Sequence, residues 1–147
     1  MVEVLRWITE ASRSGDGVLE GVTFSGGEPF DQAPALAELA CEVQALGLGV
    51  MIFTGHPGND LEASTDPGWQ ALMANSDLLV AGPYVWEEPG THPLLSSANQ
   101  RLVFLTPRYR NLENQPASRR VELRISAAGV TRMTGFPSSG FRNQSFA

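Results

Sequence analysis

The sequence predicts an α/β domain built on parallel strands. Short apolar runs at 21–25, 48–54 and 77–84 stop in glycine or proline, and stretches of helical periodicity stand between them. The middle run, Leu48-Gly49-Val50-Met51-Ile52-Phe53-Thr54, is apolar at nearly every position, as a strand covered on both faces must be. Parallel neighbours need a helix-length crossover, and the intervening stretches supply it.

Val4, Leu5, Ile8 and Ala11 recur at helical spacing, so residues 2–13 read as an amphipathic helix stopped by Ser14-Gly15-Asp16-Gly17. A crossover helix in a parallel fold needs a strand before it, and this chain opens directly on the helix. Val22 and Phe24, spaced by two, suit one face of a first strand at 21–25. In the next helix Asp31 suits the N-cap and Pro34 the first turn, and Leu36, Leu39, Ala40, Val43 and Leu46 form the apolar stripe. Cys41 lies beside that stripe with nothing basic near it in sequence, and reads as a small packing residue. Gly47 closes the helix.

After the second strand, Asp66-Pro67-Gly68 starts a helix with Trp69, Leu72 and Met73 on its inner side. Asp77 to Tyr84 is a third strand and its turn. Residues 85–98, punctuated by proline and glycine and carrying Glu87, Glu88 and His92, read as a mobile loop. Leu102-Val103-Phe104-Leu105 is a fourth strand. After a loop at 106–118, residues 120–125 and 129–135 alternate and predict a hairpin. The domain is expected to span 1–137, with 138–147 too poor in apolar residues to fold alone and reading as a flexible tail.

A chain of 147 residues with 42% hydrophobic content can bury one core. Its net charge of -6 hides a division: residues 1–100 hold fourteen Asp/Glu and two Arg, and residues 101–147 hold two Asp/Glu and eight Arg. The two segments facing each other would account for this, and a basic patch for an acidic partner is the alternative. Neither a basic leader nor a long apolar run is present, so the expected compartment is cytoplasmic, with no membrane and no nucleic-acid partner. The single cysteine excludes an internal disulfide and a cysteine-built metal cage from this chain alone.

Chemistry concentrates at Gly21-Val22-Thr23-Phe24-Ser25-Gly26-Gly27-Glu28-Pro29-Phe30. Gly26-Gly27 stops the strand in the residue type that takes positive φ and lets a ligand reach the backbone, leaving a ledge of free N–H groups. Glu28 sets a negative charge beside them, awkward for a phosphate and suited to a zwitterionic amino acid, while Pro29 fixes φ and removes a donor. An ordinary strand-to-helix turn uses the same glycines. Thr54-Gly55-His56-Pro57 stands at the C-terminal end of the second strand, where open α/β sheets and barrels place ligands. His56 either lines that site or is a solvated loop histidine.

Ser25-Gly26-Gly27-Glu28-Pro29 resembles the GGEP motif of the radical S-adenosylmethionine superfamily, whose ledge binds the methionine amino group of that cofactor. Phe53-Thr54-Gly55 is similar to a strand end in its activating enzymes. Asp77-Leu78-Leu79-Val80-Ala81-Gly82-Pro83-Tyr84 resembles a DLLVDGPY segment of anaerobic ribonucleotide reductase activating proteins, with Ala81 in place of an acid. Ser96-Ser97-Ala98-Asn99-Gln100-Arg101 resembles a Ser-Ser-Asn-Gln-Arg run with one alanine inserted, and Gly135-Phe136-Pro137 resembles the family's ending. The resemblance implies a partial (β/α) barrel lacking its first strand and cluster loop, with a C-terminal hairpin. It implies S-adenosylmethionine as cofactor, contacted by Gly26, Gly27, Glu28, Pro29, Thr54 and Asn99, although Asn99 also suits a plain strand-entry turn. It implies a glycyl radical enzyme, such as anaerobic ribonucleotide reductase, as partner.

The family's CxxxCxxC loop, whose thiolates hold a [4Fe–4S] cluster, has no counterpart here. Cys41, His56 and His92 are too far apart in sequence to replace it, so no catalytic and no metal-binding residue is expected. The chain as written is expected to lack radical-generating activity and to represent the S-adenosylmethionine-binding part of an activase truncated ahead of Met1. The alternative is a degenerate homologue that binds without catalysis. A hydrolase with Ser25 as nucleophile lacks the G-x-S-x-G elbow, since position 23 is threonine, and neither a GxGxxG loop nor a P-loop is present. An uncovered sheet edge beside residues 21–25 is expected to favour self-association.

Overall fold

The computed structural model describes residues 2–13, 19–116, 121–127 and 129–135. In chain order they form α1 (Val2–Arg13), β1 (Gly21–Phe24), a 3-10 turn (Pro29–Gln32), α2 (Ala33–Ala45), β2 (Gly49–Thr54), α3 (Gly58–Ala63) and α4 (Pro67–Ala74). There follow β3 (Leu78–Ala81), β4 (Arg101–Phe104), a second 3-10 turn (Arg110–Leu112), β5 (Val121–Ile125) and β6 (Thr131–Gly135). The glycine-rich helix stop at 14–17, Phe136-Pro137 and the tail at 138–147 lie outside the described residues.

The fold is α/β, as expected. One sheet has the order β1-β2-β3-β4, with the first three strands parallel and β4 antiparallel to β3. Among the described residues it is an open sheet, not a closed barrel, with β1 on one edge. β5 and β6 make a separate antiparallel hairpin whose turn is closed by Ser126 N–H on the Val130 carbonyl (2.9 Å) and by Gly129 at φ 78°.

Register explains the core. Phe24, Ile52, Leu79 and Val103 stand side by side across the four strands and share the helix-facing side. Against them α2 sets Ala33, Ala37, Ala40 and Val43, all buried, and α4 sets Leu72. The expected α2 stripe is thus rotated: the smallest side chains take the closest approach, Leu36 and Leu39 pack at the margin, and Leu46 is 46% exposed at the C-cap. The same rotation corrects the reading of Cys41, which is exposed rather than packed. In α4 the sequence reading holds, with the Asp66 carboxylate accepting from Trp69 N–H at 2.9 Å and Trp69 and Met73 packing on the core.

α1 forms where its periodicity places it, yet none of its residues is fully buried; Ile8 reaches the core while Trp7 is 55% exposed. α3 was not expected, because Leu61 is its one core residue and a single apolar position carries no period.

The acidic and arginine-rich segments do meet. Buried Asp77 accepts from Val50 N–H (2.9 Å) and the Thr106 hydroxyl (2.5 Å), and Arg108 approaches it at 3.8 Å while donating to the Gly47 carbonyl (2.9 Å). Arg101 pairs with Glu62 at 2.9 Å. Residues 85–98 are no floppy loop either. Ala98 N–H donates to the Glu88 carbonyl (2.8 Å), Ser97 is fully buried, and His92 bridges to the Leu112 carbonyl (2.7 Å) while its Nδ1 accepts from Leu94 N–H (3.1 Å). Gln100 organises the far end by accepting from Ser96 and Ser97 N–H through its side-chain oxygen. No helix among the described residues is long and apolar enough to cross a membrane.

Candidate functional site

Past Ser25, one residue beyond the end of β1, stand two consecutive glycines, at φ 84° (Gly26) and φ 59° (Gly27). A Cβ at either would meet nothing within 4 Å, so glycine is needed here for backbone conformation and the shelf itself is open. Both residues are exposed, and their N–H groups have no acceptor among the described residues.

Glu28 then turns back on the fold. Its Oε1 accepts from Phe30 N–H (3.1 Å) and the Thr54 hydroxyl (2.8 Å), and its Oε2 accepts from Gly55 N–H (2.9 Å). The carboxylate therefore caps the 3-10 turn and clamps the exit of β1 to the end of β2. This corrects two expectations. The cap is Glu28, with Asp31 exposed inside the turn and Gln32, at the N-cap of α2, making no side-chain cap bond. And Glu28 is not a bare charge beside the ledge: about four acceptor positions exist on a carboxylate, and three are used by described residues, leaving one on Oε2.

Thr54 is 5% exposed; its hydroxyl donates to Glu28 and accepts from His56 N–H at 3.1 Å. Pro29 is buried beneath the turn. So Gly26, Gly27, Glu28, Pro29 and Thr54 come together, with the glycines as the open surface and the other three as its support.

Asn99 stands elsewhere on the same C-terminal mouth. Its amide donates to the Pro83 carbonyl (2.7 Å) beside Gly82, so it holds the turn after β3, two strands and roughly 10 Å from the ledge. There it borders a pocket of about 320 Å³ with Pro57, Gly58, Ala81 and Arg101. Ala81 is the register partner of Arg101, whose guanidinium turns to Glu62 and lies against Gly58 so closely that a Cβ there would strike it.

An aromatic group packs beside the Glu28 turn. The His56 ring sits 4.5 Å from Trp69 and 6.1 Å from Phe30, centroid to centroid, and Phe30 meets Trp69 at 5.1 Å. His56 is half-buried, not a solvated loop residue, and its Nε2 is enclosed with no hydrogen-bond partner. Its signals in the sequence are the inner-facing Trp69, His56 at the end of the second strand and the apolar Pro29-Phe30 directly after Glu28.

The model of a family described as a 4Fe-4S single cluster domain matches residues 4–103. The chain belongs to that 4Fe-4S single-cluster domain family. Neither a curated protein nor a solved structure matches it. Such clusters are held by cysteine thiolates. This member of the 4Fe-4S single-cluster family has one cysteine, exposed on α2, and among its described residues no three His, Cys, Asp or Glu side chains are grouped to hold a metal ion. The residues of this chain therefore do not fit a cluster.

Proposed function

We propose that this chain binds S-adenosylmethionine by its amino-acid end at the Gly26-Gly27 ledge, as the cofactor-binding part of a radical S-adenosylmethionine activating enzyme whose partner is a glycyl radical enzyme. The observation that carries this reading is the open glycine pair, held in positive φ and braced against β2 by Glu28. Free N–H groups suit a carboxylate. The remaining acceptor position on Glu28 Oε2, together with the carbonyls of the turn, suits an ammonium. Membership of a 4Fe-4S family agrees with this class of chemistry. Radical generation needs a cluster that these residues do not hold, so the activity assigned to this chain is binding.

Isothermal titration of the purified chain with S-adenosylmethionine, with methionine and adenosine as competitors, tests the reading. Methionine is expected to displace the ligand because it carries the amino-acid end. No binding, or displacement by adenosine alone, would refute it.

A second reading, a binding or regulatory homologue without catalysis, is favoured by the solitary exposed cysteine. Anaerobic reconstitution with iron and sulfide bears on both: the chain is expected to acquire no stable cluster, and a cluster formed at stoichiometric yield would contradict the ligand assignment made above.

A further inference from the structure

His56 is placed by two sets of contacts that the proposed binding role leaves unused. Its backbone N–H is tied to Thr54, whose hydroxyl is tied to Glu28. Its ring packs on Trp69 and on Phe30, the residue whose own N–H is bound by Glu28. The imidazole is therefore fixed at both ends to the same turn that carries the ledge.

The two ring nitrogens sit in different surroundings. Nε2 is enclosed and has no hydrogen-bond partner. Nδ1 also makes no bond to the described residues, but it is not among the buried unpartnered atoms, so it reaches the surface. A neutral imidazole carries its proton on one nitrogen and a lone pair on the other. Aromatic rings pack on this imidazole at 4.5 Å (Trp69) and 6.1 Å (Phe30), and an enclosed N–H is weakly attracted by π-electron density where a lone pair is repelled. The proton belongs on Nε2.

We propose that His56 is held as the Nε2–H tautomer by Trp69 and Phe30, and that its exposed Nδ1 is a hydrogen-bond acceptor for the ligand's ammonium, which makes it a specificity-determining residue of the ledge. The proposal rests on the reading of the ledge as an amino-acid site. It adds a third kind of acceptor beside the turn carbonyls and Glu28 Oε2, and one that a carboxylate or phosphate ligand would not use. Thr54 acts through it as a positioning residue, and Glu28 does so by way of Thr54 in addition to offering Oε2.

The test is nitrogen-15 NMR of histidine-labelled full-length chain, with and without saturating S-adenosylmethionine, alongside titration of His56→Phe. Phenylalanine keeps the ring packing and removes both nitrogens. In the free protein, Nε2 is expected at a protonated shift and Nδ1 at an unprotonated one; on binding, Nδ1 moves upfield as it accepts a hydrogen bond. His56→Phe is expected to bind about tenfold more weakly, the scale of one charge-assisted hydrogen bond, with an unfolding midpoint equal to or above the parent's. An Nδ1–H tautomer, or an Nδ1 shift unmoved by bound ligand, would overturn the proposal while leaving the ledge reading intact. Absence of any S-adenosylmethionine binding by the parent would overturn both. If His56→Phe bound normally, or lost stability and affinity in parallel, His56 would be packing only.

Discussion

Replacing Glu28 by glutamine separates a clamp from a ligand contact. The carboxylate accepts three bonds, from Phe30 N–H, the Thr54 hydroxyl and Gly55 N–H. A glutamine keeping its oxygen at the Oε1 position retains the first two and turns its amide NH₂ toward Gly55 N–H, donor against donor. One bond is lost, and the other two lose charge assistance; bonds to charged groups contribute about 1.5–3 kcal/mol and neutral ones about 0.5–1.5. Gly55 is exposed and recovers a water, which holds the total near 2 kcal/mol. Glu28→Ala strands the Thr54 donor in a buried position and should cost about 3 kcal/mol. With a urea slope of about 2 kcal/mol/M, Glu28→Gln lowers the midpoint by about 1 M at constant slope. A double-mutant cycle with Thr54→Val should give a coupling of about 1 kcal/mol. An unchanged midpoint together with weakened S-adenosylmethionine binding would refute the clamp and restore Glu28 as a plain ligand contact.

Gly27→Ala forces an alanine to φ 59° with no steric neighbour, so it should destabilise by about 1–2 kcal/mol, and Gly27→Asn by less; chemical denaturation of both variants checks the ordering. Gly49→Ala drives its Cβ onto the Tyr109 hydroxyl and should cost about 1–3 kcal/mol, part of which Tyr109→Phe restores in the double variant, read as midpoint recovery. The Tyr109 hydroxyl is raised above its ordinary value of 10.0 by burial first and then by Asp77, with Arg108 opposing and Glu20 adding to it. A raised folded-state value means the contribution is complete below pH 10 and lost as pH climbs past that value, so stability should fall on the alkaline side, and less steeply in Tyr109→Phe.

The parallel sheet was legible because its strands are short apolar runs closed by glycine, and a run buried on both sides cannot be mistaken for a solvated one. Local chemistry was less so. Asp31 looks like a cap in one dimension, but Glu28 wins because its longer side chain reaches both Phe30 and the end of β2. The resemblance puts Glu28 and Thr54 in one site, but nothing in the sequence shows that the carboxylate bonds residues 54 and 55 directly. The loop carrying His92 reads as polar and mobile, whereas Gln100, Ser97 and His92 spend their polar atoms on backbone groups within it and on Leu112, which composition does not reveal. Cys41 was misplaced by one helical step, the 100° that separates it from buried Ala40.

The two ends of the sheet divide the labour. At the N-terminal ends of β2 and β3, Asp77 holds Val50, Thr106 and Arg108 together, and Tyr109 fills the notch left by the register-paired Gly21 and Gly49. Bulk is excluded there, so those glycines serve packing. At the C-terminal ends, Gly26, Gly27 and Gly82 take positive φ, and the first two face open space. Those glycines shape a surface instead. A substitution at the closed end should change stability without touching ligand affinity. One at Gly26 or Gly27 should change affinity by more than its stability cost accounts for, because the strain falls on the very peptide groups proposed to meet the ligand.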